Sequence, residues 1–241
     1  MELKIYENSK ELGAHAADFI AEKLNNAIRE KGTARIILST GASQFDMFKC
    51  LVKKQVAWEK VIMFHLDEYI GLPQTHPASF RKYLHERFTD LVPVTAYFVN
   101  TEGELERNLQ ELTRSLRNEP IDIGVIGIGE NGHIAFNDPP ADFDTKEAYK
   151  VVNLDEKCRK QQVGEGWFKS VEETPRQAVS MTPYQIMQCK SIISVVPDGR
   201  KAEAIKKTMN ACRTTNMIPA TLLKEHSDWH LYLDRDSASL L

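Results

Sequence analysis

Two groups of titratable residues in this chain have types and spacings that could move protons. Asp67 and Glu68 are adjacent carboxylates, and Asn131, His133 and Asp138 fall together within the stretch GENGHIAFND. A carboxylate at the end of a strand can act as a general base once burial tunes its pKa. In an extended chain neighbouring side chains point to opposite sides, so only one of Asp67 and Glu68 can face a given site. An imidazole beside an acid is oriented and can transfer a proton near neutral pH. A third group, Thr40, Gly41, Ala42 and Ser43, opens a helical pattern, where backbone N–H groups in a favourable dipole are suited to a phosphate. The same four residues also suit an ordinary strand-to-helix turn with a serine cap. A phosphate calls for cations as well, and Arg159 and Lys201 are candidates.

The elements that must position these groups follow from the pattern of apolar runs. Leu3 to Tyr6 reads as an edge strand, and Asn8 followed by Glu11 as a capping box opening an amphipathic helix to about Lys31. Ala34 to Leu38, Val61 to Leu66, Ala96 to Val99, Ile121 to Ile128, Ser191 to Val196 and Trp229 to Leu233 read as strands. Helical patterns cover Gln44 to Val52, Ser79 to Leu91, Glu104 to Arg117, Asp155 to Gln162, Pro183 to Gln188 and Arg200 to Met209. Apolar strands alternating with helices predict an α/β fold: a doubly wound, mostly parallel, Rossmann-like sheet with helices on both faces, in one domain over residues 1–241. In such folds ligands bind beyond the carboxyl ends of the strands. Those ends are Thr40 to Ser43, His65 to Tyr69, Gly129 to Asp138 and Pro197 to Lys201, so four loops are expected to converge. Gly164 and Gly166 flank a segment carrying Trp167 and Phe168 that reads equally as a lid or as a surface loop.

Several chemistries find little support. Gly127, Gly129 and Gly132 match G-x-G-x-x-G after a strand, but Pro139 and Pro140 cut off the helix that a dinucleotide site needs at the third glycine. His65, Asp67 and His133 lack metal-ligand spacing, and no nucleophile elbow occurs. The 241 residues carry a formal charge of -3 with no basic footprint, so neither nucleic acid nor a membrane surface is an expected partner. The N-terminal residues lack the apolar core of a signal peptide, and Cys50, Cys158, Cys189 and Cys212 form no C-x-x-C, so reduced thiols in the cytoplasm are expected.

Taken together, LSTGAS, FHLDEYIGL and GIGENGHIAFNDP, followed by LDEKCRKQ, DGRKAEAI and IPATLLKEHSDWHLYLD, resemble the glucosamine-6-phosphate deaminase family, within the wider group that includes 6-phosphogluconolactonases. The resemblance covers nearly the whole chain. It implies an enzyme acting on a hexosamine phosphate without a cofactor, producing fructose 6-phosphate and ammonium. By the same resemblance, Asp67 is the base working between C2 and C1, and His133 opens the sugar ring with Asn131 and Asp138 in support. Gly41, Ala42 and Ser43 would donate to the phosphate, assisted by Arg159 and Lys201. The chain departs from the family pattern at Asn131, often an aspartate; at Asp138, usually the longer glutamate; and at Gly41-Ala42-Ser43-Gln44, where G-G-T-P is common. An amide at position 131 can orient His133 but cannot stabilise imidazolium by charge. A lactonase and a catalytically silent sugar-phosphate sensor are the alternatives. Ala141 to Lys150 has no arginine-rich pattern, so no allosteric site is expected, and a homo-oligomer is left open.

Overall fold

The computed structural model describes residues 1–164 and 166–241. In chain order the elements are β1 (Glu2–Tyr6), α1 (Ser9–Lys31), β2 (Ala34–Leu38), α2 (Phe45–Leu51), β3 (Val61–His65), β4 (Asp67–Tyr69), α3 (Phe80–Leu84), β5 (Thr95–Tyr97) and α4 (Leu105–Arg117). There follow β6 (Ile123–Val125), β7 (Tyr149–Asn153), α5 (Glu156–Gly164), β8 (Gln177–Met181), α6 (Pro183–Ile186), β9 (Ser191–Val196), α7 (Ala202–Asn210) and β10 (Trp229–Asp234).

Seven strands form a parallel sheet in the order β1-β10-β9-β6-β2-β3-β5. Its inner strands are mostly apolar because both faces are covered, whereas the edge strands β1 and β5 are partly exposed. Ile36, Leu38, Met63, Ile193 and Val195 point to the side where Leu12, Ile20 and Leu24 of α1 and Met47, Phe48 and Leu51 of α2 pack. Their neighbours Ile37, Phe64, Ile192 and Val196 point to the other side, against Leu112 and Leu116 of α4, Ile186 of α6 and Ile205 of α7. The period of two along each strand thus supplies two cores from one sheet. The doubly wound parallel architecture expected from the alternating pattern is the one observed.

At the start of α1, Asn8 accepts from the amides of Lys10 and Glu11, both at 3.0 Å. Glu11 reaches back one residue further than a capping box requires, to the amide of Glu7 at 3.0 Å. Beyond α3 the helical run over Ser79 to Leu91 changes character, continuing as a π-helical turn over His85–Thr89. No helix among the described residues is long and apolar enough to cross a membrane.

A second sheet was not anticipated. Strands β4, β8 and β7 pair antiparallel in that order, with Asp67 opposite Ser180 and Tyr149 opposite Met181. Asp67-Glu68-Tyr69 read as the loop that ends β3, since acidic residues are poor strand formers. It is a strand because β8 offers a pairing edge from far along the chain. The expected lid segment from Gly164 to Phe168 includes Glu165, which lies outside the described residues; of its neighbours, Phe168 is buried and Trp167 half-buried.

Candidate active site

At the carboxyl end of the large sheet lies a cavity of about 510 Å³, within the range of small-molecule sites. All four expected loops contribute to it: Thr40, Gly41, Ala42 and Ser43; Leu66 and Asp67; Gly127 to Gly129 with His133; and Pro197 to Lys201. Asn8 and Ser9, at the start of α1, Asp234, which ends β10, and Asp236 just beyond it add to the same wall.

Alternation along β4 separates the two carboxylates. Asp67 lines the cavity and is only 6 % exposed, while Glu68 turns into the protein. Glu68 there accepts from the Ser79 hydroxyl (2.9 Å), from the amides of Tyr69 (3.0 Å), Phe80 (3.2 Å) and Arg81 (2.8 Å), and from Arg81 Nε (3.3 Å). Asp67 has no such company: among the described residues its Oδ1 has no hydrogen-bond partner. Burial, reinforced by the neighbouring charge of Glu68, pushes the Asp67 carboxyl up to about 8.

His133 closes a tight turn in which the Gly129 amide donates to His133 O at 2.9 Å and the Gly132 amide to Gly129 O at 3.0 Å. The imidazole occupies the space beside Gly129 that a side chain would need. A Cβ at position 129 would sit 2.2 Å from ring atoms Cε1 and Nε2, so only glycine admits the ring there. Asp138 reaches the ring despite being shorter than glutamate, with Oδ1 3.0 Å from Nδ1. The approach is bent away from the ring's N–H direction, and Nδ1 makes no well-aligned hydrogen bond among the described residues. It is a close approach, and an ion pair only while the imidazole carries a second proton. Asn131 completes the group from behind, its Nδ2 donating to Asp138 Oδ1 at 2.8 Å and its Oδ1 accepting from the His133 amide at 3.0 Å. Burial works to raise the Asp138 carboxyl, but the contact with His133 and the Asn131 amide outweigh it and bring it down to about 2.

The small sheet supports both halves. Through β8, Ser180 pairs with Asp67 in register, its Oγ accepts from the Phe136 amide at 3.1 Å, and Asn137 Nδ2 donates to Met181 O at 2.8 Å. Ser180 and Asn137 thus tie the Asp67 strand to the His133 segment. Sequence reading passed over this role, because it exists only once β4 and β8 have paired. Backbone strain also gathers here: Ala135 (φ 51) and Asp198 (φ 87) are the non-glycine residues with positive φ among those described, and both line the cavity.

The expected site residues separate into three groups. Asp67, His133, Gly41, Ala42, Ser43 and Lys201 line one cavity, Lys201 being 8 % exposed. Asn131 and Asp138 stand behind His133. Arg159 does not line the cavity: it sits on α5 with Nη1 donating to Val171 O at 3.1 Å. A helix carrying one arginine gives no sign of which way that arginine faces until the helix is docked. Arg200 lines the cavity instead, next to Lys201, and Phe80, Phe136, Gln161, Gln162 and Trp167 add to its wall. No group of three or more His, Cys, Asp or Glu side chains among the described residues is arranged to hold a metal.

Comparison with known proteins bears on what such a cavity does. The chain is 34% identical over 250 residues to a glucosamine-6-phosphate deaminase of Thermoanaerobacter sp. (strain X514), the alignment covering 100% of this chain and 95% of that protein. A solved structure described as a monomeric glucosamine-6-phosphate deaminase superposes with a TM-score of 0.91 at 28% identity, covering 100% of both chains. A 6-phosphogluconolactonase from Shewanella baltica OS155 shares the fold, with a TM-score of 0.80 at 18% identity over 97% of each chain. Residues 7–231 match the family described as glucosamine-6-phosphate isomerases/6-phosphogluconolactonase. With the match running from before α1 into β10, this chain belongs to that family.

Proposed function

We propose that the protein is a glucosamine-6-phosphate deaminase that converts D-glucosamine 6-phosphate and water to D-fructose 6-phosphate and ammonium, acting as one catalytic domain over residues 1–241 in the cytoplasm. The observation that carries this reading is the presence of Asp67, His133, Lys201 and the Gly41–Ser43 turn on the wall of a single cavity.

The phosphate is placed against the amides of Gly41, Ala42 and Ser43, which begin a helical turn, and against Lys201. Oriented N–H groups and an ammonium together suit a dianion. His133 takes the proton of the C1 hydroxyl and gives it to the ring oxygen as the C1–O5 bond breaks, which leaves the open-chain aldehyde. Asp138 and Asn131 hold the imidazole for this step. Asp67 then removes the proton on C2, and the electron pair of that bond forms C1=C2 while the substrate's own C2 ammonium gives a proton to the carbonyl oxygen. The resulting enolamine takes the proton back from Asp67 at C1, giving a ketose imine. Water adds at C2, ammonium leaves, and the ketone of fructose 6-phosphate remains. Asp67 suits this shuttle because a carboxyl raised by burial is both a stronger base than an exposed one and a competent acid near neutral pH.

Incubating the purified protein with glucosamine 6-phosphate tests the reading directly: ammonium and fructose 6-phosphate should appear in equal amounts. Finding neither at high protein concentration would falsify it. Hydrolysis of 6-phosphogluconolactone that survives Asp67→Asn would put a lactonase in its place.

A further inference from the structure

Tyr83 of α3 has a contact that the proton transfers do not call for. Its ring packs among Phe45 and Phe48, at centroid distances of 5.6 and 5.9 Å, and its hydroxyl donates to the carbonyl oxygen of Gly41 at 2.8 Å. The same carbonyl accepts from the Gln44 amide at 3.1 Å, so both of its lone pairs are engaged. Gly41 has φ 101 and ψ 164, a conformation that side-chain sterics do not police in glycine, so the orientation of the following peptide depends on these two hydrogen bonds, Gln44 from within the turn and Tyr83 from α3. In a trans peptide C=O and N–H point in opposite directions within one plane. Holding Gly41 O towards α3 therefore turns the Ala42 N–H the other way, at a point where Gly41, Ala42 and Ser43 line the cavity. Burial raises the Tyr83 phenol well above its ordinary value despite the opposing charge of Arg87, so the group is a donor throughout the working pH range.

The other end of α3 is tied as well. Ser79, Phe80 and Arg81, its cap and first residues, all donate to Glu68, the neighbour of Asp67. A helix of five residues thus spans from the strand that carries Asp67 to the turn at Gly41.

The geometry points to Tyr83 as a positioning residue for the anion-binding turn: carried on a helix braced against Glu68, its hydroxyl keeps the Gly41–Ala42 peptide turned with its N–H into the cavity. The inference rests on the proposed phosphate end of the site and extends it to a residue outside the cavity wall. Its effect falls on binding, and so on KM rather than kcat.

The test is Tyr83→Phe, which keeps the ring and removes only the donor. Calorimetric titration with inorganic phosphate should show binding weakened by about 3- to 10-fold, the range expected for one net hydrogen bond. KM for glucosamine 6-phosphate should rise by the same factor, with kcat within about twofold of the parent. As a control, Phe88→Leu loosens the same aromatic cluster, where Phe88 meets Phe48 at 5.8 Å, without touching Gly41. It should lower Tm while leaving phosphate binding unchanged. A Tyr83→Phe protein that binds phosphate as tightly as the parent overturns the inference. So does a control that loses phosphate binding in step with its Tm, since Tyr83 would then act only through stability. If the parent releases ammonium and binds phosphate while the variant is unaltered, this inference alone fails. If the parent does neither, the proposed function fails and takes the inference with it.

Discussion

Two carboxylates, Asp67 on the cavity wall and the less deeply buried Asp138 behind His133, are driven in opposite directions. Asp67, on β4, has an oxygen with no partner among the described residues and is pushed up to about 8 by burial and the charge of Glu68. Asp138, behind the His133 turn, also pays a burial penalty, yet its contacts with the imidazole and Asn131 bring it down to about 2. Burial raises both, so it does not by itself decide the outcome; the donors that meet Asp138 and not Asp67 reverse it. A pair of acids pushed apart in this way indicates a division of labour, with the raised one suited to exchanging a proton and the lowered one to staying charged and holding a neighbour.

The largest effect expected from breaking this contrast is at Asp67. Asp67→Asn should lower kcat roughly a thousandfold, as loss of a general base does, with phosphate binding largely intact by titration. Stability should move the other way. A raised carboxyl means that the folded protein holds its proton more tightly than the unfolded chain, so the parent loses stability as pH climbs from 3.8 to about 8. The variant has no such loss. Denaturant titration should find it more stable than the parent above about pH 8, by roughly 1 to 3 kcal/mol, the cost of an unsatisfied buried group, with the gap closing towards pH 4. Equal pH profiles for the two proteins would mean that Asp67 is satisfied in solution and the contrast is lost.

Lys201→Ala asks whether the anion end is independent of the proton-moving end. It should weaken substrate and phosphate binding by roughly 1 to 3 kcal/mol, the range for a charge-assisted contact, and leave kcat at saturation nearly unchanged. A collapse of kcat with KM preserved would place the ammonium at the reacting carbons instead.

Asp138→Asn should be milder, because the contact with Nδ1 is bent: about a tenfold loss in kcat, within the range for a group that orients a general acid–base. Here the linkage has the opposite sign. A depressed carboxyl stabilises the fold at pH values above 3.8, and that contribution disappears as pH falls to about 2. The parent's advantage over the variant in thermal melts should shrink across that window and not elsewhere.

Much of the architecture was legible because the cause is local. Ile36 to Leu38, Met63, Phe64 and, broken only by Ser194, Ile192 to Val196 form apolar runs, as a strand covered on both faces requires, and α1, α3 and α6 open on their own side-chain caps. The site was legible where a residue sits at a strand end, as Thr40 to Ser43 and Asp67 do, since the parallel arrangement forces those ends together. It was not legible where a role depends on docking. Arg159 faces Val171 and not the cavity, Arg200 faces the cavity, and Ser180 bridges the two halves through a sheet whose strands are far apart in the chain.

By itself, the sequence determined which groups are present and that they meet: one imidazole beside an acid, a strand ending in two carboxylates, and a glycine-led turn at the end of another strand. That Gly129 is the position where the His133 ring fits is seen only in the fold. Tertiary structure alone decided which carboxylate stays without donors and which is saturated. Asp67 and Glu68 are neighbours of almost the same chemistry; pairing of β4 with β8 turns one to the cavity and delivers the other to the start of α3. A pKa depends on the solvent and donors within a few ångströms, and for these two residues those surroundings come from distant parts of the chain.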